Sequence, residues 1–446
     1  MAALKLFGTD GVRGVAGSYP LDPPTIARLG AAIVRVRPFE RPARIIVGRD
    51  TRESGEWIER DLARGAASAG AVITSAGVIP TPGVAFLAGA LEFDLGVVLS
   101  ASHNAYTDNG IKVFSGRGEK FGEAEERAVE AVMADDSWAV TSARDADVTR
   151  GDFLDAYIEH VRRILPDAGP LRGSRIAIDL ANGATTTTAK TLFERVGFSL
   201  LTIGDRPDGR NINLACGSTH PAKLAATVVA ERCRLGIAFD GDGDRAIFVD
   251  HRGHIVDGDA VLLMLGRHDH QQGRLTGQTI VATVMSNAGL EIALRDLGIK
   301  MVRTPVGDKY VMEEMMRGGF TIGGEQSGHV ILADHLSTGD GMATALAVLR
   351  VMAESGRELA DLAAELKTLP QTLVNVRVQR KTPVADVPEI VAAIARVEAA
   401  LDGRGRVLVR YSGTEPLLRV MIEGEDQASV QAWAEEIAEA ARAKLG

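Results

Sequence analysis

The stretch RIAIDLANGATTTTAKTLFERVGFSLLTI, residues 175–203, decides the fold. Its first five residues, Arg175–Asp179, form an apolar run too short for a helix and rich in β-branched isoleucine, the mark of a buried strand. A polar loop follows, then a segment with helical spacing through Phe193. Gly197 separates that helix from a second apolar run, Ser199–Ile203. The same grammar recurs twice. Arg44–Val47 leads through a polar loop to a helix near Glu56–Ser68 and a strand at Ala71–Ser75. Thr279–Val284 leads through SNAG to a helix ending at Leu297 and the strand Lys300–Thr304. Alternating strands and helices imply right-handed βαβ units and parallel sheets. Three copies predict three related α/β domains with mixed or parallel sheets.

The C-terminal segment reads differently. A helix ending at Leu366 and the pair Leu369-Pro370 mark a boundary. Beyond it come strands at Thr372–Val378, Val407–Arg410 and Leu418–Glu423, with helices at Val387–Leu401 and Gln427–Leu445. The expected fold is therefore α/β: three α/β domains, residues 1–150, 151–252 and 253–368, plus a smaller α+β domain, residues 369–446. The acidic helix within Gly122–Asp136 reads as a solvated face.

Composition narrows the function. The chain has 446 residues, 46% hydrophobic and 24% charged, enough apolar material for several cores. A net charge of −9 argues against nucleic acid, though a local cluster of cations can still hold a small anion. Two cysteines, Cys216 and Cys233, build no disulfide framework and fit a reducing compartment. The opening MAALKLFGTDGVRG lacks the apolar region of a secretory signal, and the most apolar stretch, Ala260–Gly266, is too short to span a bilayer. A cytoplasmic protein without membrane partners is expected, either monomer or homodimer.

Each α/β unit ends in a polar loop: SASHN (100–104), DGDGDR (240–245) and GEQSGH (324–329), the last two bearing glycines. The last domain adds RYSGTEP (410–416). Loops at strand ends are where open α/β sheets bind ligands, and four of them suggest a shared cleft. Ser102 follows the apolar strand Leu95–Leu99 and has His103 beside it, so it reads either as a nucleophile or as a turn serine bonding its own backbone. The hydrolase elbow G-x-S-x-G is absent. Lys112, in DNGIK, could serve a phosphate or a proton transfer, or reach solvent.

The second loop carries the sharper chemistry. Asp240, Asp242 and Asp244 alternate with Gly241 and Gly243, so three carboxylates converge and repel one another unless a cation joins them. Oxygen ligands without Cys or His favour Mg²⁺. An EF-hand fails because its sixth position would be Arg245 and its twelfth His251. Glu325, Ser327 and His329 suit sugar hydroxyls, and a plain polar turn competes. Arg410, Ser412, Gly413, Thr414 and Arg419 form a plausible phosphate cradle that is not a P-loop. In FGTDGVRG (7–14), two glycines flank Val12 and Arg13 and could deliver the guanidinium to a cleft.

Together, FGTDGVRG, SASHN with DNGIK, DGDGDR, GEQSGH and SGTEP resemble the α-D-phosphohexomutase family, in family order and at similar spacing along the whole chain. The resemblance implies a heart-shaped, four-domain isomerase with a central cleft. It implies that Ser102 carries a phosphoryl group, and that this phosphoserine, Asp240, Asp242 and Asp244 hold one Mg²⁺. Arg13, His103 and Lys112 would sit at the transferred phosphate. Arg245, Lys309, Glu325, Ser327 and His329 would face the sugar, and Arg410, Ser412, Gly413, Thr414 and Arg419 the other phosphate. The implied reaction interconverts glucosamine 6-phosphate and glucosamine 1-phosphate through a glucosamine 1,6-bisphosphate. Plain hexose phosphates as substrate, or a metal-dependent sugar phosphatase, are the alternatives; the amino-sugar reading leans on Gln326. Ala105 stands where the family commonly has proline, so a looser loop is expected there.

Overall fold

A computed structural model describes residues 5–8, 10–140, 146–412 and 415–446. By contacts the chain forms two compact units, one of Met1–Met285 with Val302–Ala363, the other of Ser286–Met301 with Ala364–Gly446.

The larger unit contains three sheets. In the first, seven strands run in the order Phe7–Gly8, Gly11–Val15, Asp108–Ser115, Leu95–Leu99, Arg44–Arg49, Val72–Val78 and Val148–Arg150. The second runs Ile255–Val256, Ala246–Asp250, Leu235–Phe239, Arg175–Asp179 and Ser199–Ile203. The third contains Thr279–Thr283, Ile322–Gly324 and Val330–Leu332, with Lys300–Thr304 at its edge. All three repeat one plan. Parallel strands joined through helices end in an antiparallel hairpin: Leu95–Leu99 with Asp108–Ser115, Leu235–Phe239 with Ala246–Asp250, Ile322–Gly324 with Val330–Leu332. The turns of these hairpins are SASHN, DGDGDR and GEQSGH. The expected α/β repeats are therefore present, and each polar loop occupies the same topological position. Every residue of Leu95–Leu99 and of Leu235–Phe239 is buried, so burial on both faces anchors these loops.

The helices form for local reasons. Asp22 caps Pro23–Arg35, its carboxylate accepting from Thr25 N–H at 3.1 Å, and prolines occupy the first turn where no N–H is needed. That helix packs on Gly55–Ser68 backbone to backbone: a Cβ on Gly65 would lie 1.7 Å from Ala27 O. Burial of Ile26, Leu29, Ile33, Ile58 and Leu62 against Ile45 and Val47 makes the first core, each side chain stabilising by about 1.5–3 kcal/mol.

Some expectations need correction. The strand expected at Ala71–Ser75 runs Val72–Val78. The helix expected to reach Leu366 ends as Leu359–Ala363. After Arg175–Asp179 the chain makes a short 3₁₀ turn, Ala184–Thr187, before the helix Ala189–Val196, since the threonine run disfavours α-helix. The acidic helix, Glu123–Ala134, is not purely a solvated face: Val129 and Met133 enter the first core and Glu126 is buried.

The smaller unit is α+β. Its antiparallel sheet runs Gln371–Arg377, Leu417–Glu423, Arg406–Tyr411, with helices Pro388–Leu401 and Gln427–Leu445 closing a core of Ile390, Val397, Leu418, Val420 and Ile437. The helix Ala288–Asp296 belongs to this unit although it comes earlier in the chain. Asn287 caps it, and its amide also accepts from Leu369 N–H at 2.9 Å and donates to Leu369 O at 3.1 Å.

Candidate active site

In the larger unit the hairpin turns of the first two sheets meet. Ser102 Oγ donates to Asp240 Oδ2 at 2.5 Å and lies 3.4 Å from His103 Nδ1. Asp240, Asp242 and Asp244 are buried and present oxygens all within 4.8 Å of one another. The curl comes from the glycines: Gly243 has φ +73°, and a Cβ on Gly241 would stand 2.6 Å from Ser102 O. The triad thus touches the serine loop only because residue 241 has no side chain. Among the described residues Asp242 Oδ1 is buried without a hydrogen-bond partner, and the donor set is all hard oxygen, so the residues fit a divalent cation such as Mg²⁺.

Cations surround the carboxylates. Lys112 Nζ, almost fully buried, contacts Asp242 Oδ2 at 2.8 Å, Asp10 Oδ2 at 3.1 Å and Asp244 Oδ2 at 3.4 Å. Burial opposes its charge, but Asp10, Asp242 and Asp244 prevail and raise it well above its ordinary value. Burial and its two neighbouring aspartates push Asp240 well up, while Lys112 and His329 outweigh burial at Asp244 and hold it well down. Asp10 also pairs with Arg13 and Lys120, and Lys120 reaches Asp308 at 2.8 Å. Arg13 Nη1 donates to Ala101 O at 3.3 Å. Burial, then Arg245 and Arg13, lower His103, whose Nδ1 accepts from Arg245 Nη1 at 3.1 Å. Burial disfavours charge on His329, yet Asp244 at 3.5 Å, with Asp308 and Glu325, pushes it up to about 9. Its Nε2 lies 3.2 Å from Gly339 N, a hydrogen bond that the neutral ring accepts and that protonation of Nε2 would break.

Beside the triad opens a cavity of about 330 Å³, lined by Asp10, Arg13, His103, Arg245, Asp308 and Glu325 among others. The third hairpin enters here: Arg245 and His329 form a β-bridge, and Glu325 Oε1 accepts from Gly307 N–H at 3.2 Å. Ser327 Oγ donates to Glu325 Oε2 at 3.2 Å. Ser102, Arg13, His103, Lys112, the aspartates, Arg245, Glu325, Ser327 and His329 therefore lie in one connected cluster.

Two residues are placed elsewhere. Lys309 does not line this cavity; its ammonium, 3.5 Å from Glu126 Oε2, faces a neighbouring one of about 170 Å³. Gln326, the residue behind the amino-sugar reading, donates its amide to Asp257 Oδ2 at 3.1 Å and is likewise absent from the lining. In the smaller unit Arg410 and Arg419 pair across adjacent strands, and Ser412 Oγ accepts from Glu415 N–H at 3.3 Å. Gly413 and Thr414 lie outside the described residues. Sequence reasoning missed Asp10, Lys120 and Asp308, which connect the cations, and Asp50, Arg52 and Asn213, which grip the serine loop. Asp10 lies inside a quoted motif; the others offer no local pattern, because their partners are distant in sequence.

Four family models match the chain in order: phosphoglucomutase/phosphomannomutase α/β/α domain I at residues 4–139, domain II at 155–253, domain III at 257–369 and the C-terminal domain at 373–440. The chain belongs to the phosphoglucomutase/phosphomannomutase family. Within it, the chain is 48% identical over 446 residues to the phosphoglucosamine mutase of Solibacter usitatus, covering all of both chains. Among solved structures, a family member from Burkholderia thailandensis is similar with TM-score 0.81 and 25% identity, over 98% of this chain and 97% of that one. N-acetylphosphoglucosamine mutase from Aspergillus fumigatus, solved with GlcNAc-6P and magnesium, shares the fold at TM-score 0.66 and 17% identity, over 99% and 96%. Among the described residues no helix is long and apolar enough to cross a membrane.

Proposed function

We propose that the protein is a phosphoglucosamine mutase, interconverting glucosamine 6-phosphate and glucosamine 1-phosphate with Ser102 as phosphoryl carrier. The observation that carries the reading is the buried contact of Ser102 Oγ with Asp240; His103 and Asp244, from the same two loops, line a cavity together with Arg13 and Arg245. The choice of an amino sugar rests on the relatives, since Gln326 is engaged with Asp257.

Phosphoryl transfer needs placement and charge stabilisation more than covalent help. In the first step the free hydroxyl of the substrate forms a bond to phosphorus as the bond to Ser102 Oγ breaks, giving glucosamine 1,6-bisphosphate. His103, whose Nδ1 lies 3.4 Å from Ser102 Oγ and which is held toward its neutral form, would take the hydroxyl proton on Nδ1 in place of the Arg245 hydrogen bond it accepts here. In the second step the bisphosphate, turned end for end, returns its other phosphoryl group: the Ser102 Oγ–phosphorus bond forms as the phosphorus–O6 bond breaks, O6 takes up the proton removed from the substrate hydroxyl in the first step, and glucosamine 1-phosphate leaves. Asp240, Asp242 and Asp244, with an oxygen of the serine phosphate, would hold one Mg²⁺, which offsets charge on the transferring group when bound. Arg13 and Lys112 flank that position, and Glu325 and Ser327 offer acceptors and a donor to sugar hydroxyls. Arg410, Ser412, Gly413, Thr414 and Arg419 are assigned to the non-reacting phosphate, and Lys309 a supporting place near the sugar.

Peptide mapping of the purified protein should find phosphate on Ser102. Coupled assays should prefer glucosamine 6-phosphate over glucose and mannose 6-phosphates, and Ser102→Ala should abolish turnover with the fold intact. A clear preference for a plain hexose would replace the substrate; release of inorganic phosphate without isomerised sugar would make the protein a phosphatase.

A further inference from the structure

Ser102 has φ +51°, a left-handed conformation that residues with a Cβ avoid. Something must impose it, and Ala105, three residues on, does not: it is exposed, its side chain restricts no torsion, and its N–H donates no hydrogen bond among the described residues. The constraint comes from a closed ring of hydrogen bonds. Ser102 N–H donates to Ser100 Oγ at 2.9 Å, and Ser100 Oγ donates to Asp50 Oδ2 at 2.5 Å. Asp50 pairs with the Arg52 guanidinium and accepts Arg52 N–H at 2.9 Å. Arg52 Nη2 then returns to the serine loop, donating to Ser102 O at 3.2 Å and Asn104 O at 2.6 Å. From the second sheet's side, Asn213 Nδ2 donates to the same two carbonyls at 2.9 and 3.1 Å. The Asp50 and Arg52 side chains have no solvent exposure, and neither lines the cavity.

We propose that Arg52 is a positioning residue for phosphoryl transfer: it grips the carbonyls of Ser102 and Asn104, and so aims Ser102 Oγ at the metal loop, without touching substrate. This rests on the reading of Ser102 as phosphoryl carrier. The fork geometry matters, because one guanidinium spans a carboxylate and two carbonyls at once, which a lysine ammonium cannot do in the same plane.

The test is steady-state kinetics with hydrogen–deuterium exchange on the full chain. Arg52→Lys should lower kcat by about 30- to 100-fold with KM within about twofold, as expected when a reacting atom shifts by about an ångström. Amides at residues 100–105 should exchange about tenfold faster while the remaining peptides keep their protection. Adding Ala105→Pro, which stiffens the loop by another route, should recover at least about fivefold of the lost kcat. Should Arg52→Lys fail to fold, Asn213→Gly removes the second grip while keeping the left-handed backbone that Asn213 adopts at φ +59°, and should itself lower kcat about tenfold at constant KM. Unchanged kcat in both variants, or a rise in KM without a fall in kcat, overturns the proposal. Turnover surviving in Ser102→Ala would instead remove the carrier reading, and the exchange rates at residues 100–105 would still decide whether Arg52 orders the loop.

Discussion

If the aspartate triad holds Mg²⁺ as proposed, Asp242 is the residue on which metal dependence turns. Its Oδ1 is buried with no hydrogen-bond partner among the described residues, and Oδ2 accepts from Thr81 Oγ1 at 2.7 Å as well as Lys112. Chelation should abolish turnover and added Mg²⁺ restore it; Asp242→Asn should cost at least about 100-fold. Mg²⁺ should also raise the melting temperature of the wild type and leave that of Asp242→Asn unmoved, since a ligand that binds only the folded state stabilises it. A wild-type melting temperature indifferent to Mg²⁺ would discard the assignment. The aspartates were legible because alternation with glycine is a local pattern. Ser102 was not legible from its own loop: its identity as a site depends on Asp240, which lies far along the chain. Arg52 was invisible for the same reason, since a buried arginine holding carbonyls leaves no periodic trace. Where a looser loop is expected at Ala105, Arg52 and Asn213 hold the carbonyls of Ser102 and Asn104 on its N-terminal side.

At the scale of elements, the helix Leu154–Arg162 and the segment after Val330–Leu332 meet through a stack of rings. His160 lies 4.1 Å from Phe86 and 4.2 Å from His335, centroid to centroid. Burial, then His335, push its pKa down from 6.5 to about 4. Unfolded, His160 takes a proton near pH 6.5; folded, it does not until about pH 4. Between those values the unfolded chain binds more protons, so stability is lost as pH falls through the window, by an amount on the order of 1–2 kcal/mol after solvent screening. His160→Phe keeps the stack and removes the proton. Its melting temperature should exceed the wild type's at pH 5 by more than at pH 7.5; an equal difference at both would refute the linkage. The elements themselves were largely legible, because short apolar runs and glycine-ended helices are local signals. Which strand turns antiparallel was not, since the hairpin partners Asp108–Ser115 and Ala246–Asp250 look like any buried strand.

Taken whole, the molecule has one feature that no reading in chain order yields: the smaller unit is assembled from two separated segments. Glu423, fully buried, holds it together, accepting from Asn287 Nδ2 and Ala288 N–H at 3.2 Å each and pairing with Arg406 at 2.8 Å. Glu423→Ala leaves the arginine without its carboxylate and should destabilise this unit by about 3–5 kcal/mol. Faster proteolysis within Ala288–Asp296 would report it, and unchanged protection there would show that Glu423 is dispensable. Sequence patterns assigned that helix to the third βαβ repeat because its strand precedes it; its hydrogen bonds to Leu369 and Glu423 are set by partners far downstream. The same arrangement sets a timetable during synthesis. Asn287 leaves the ribosome well before Leu369 and Glu423 are translated, so the nascent chain carries a helix start whose binding partners do not yet exist. Slow translation past residue 300 would lengthen that exposed interval, and the demand for chaperones should track codon choice in this region.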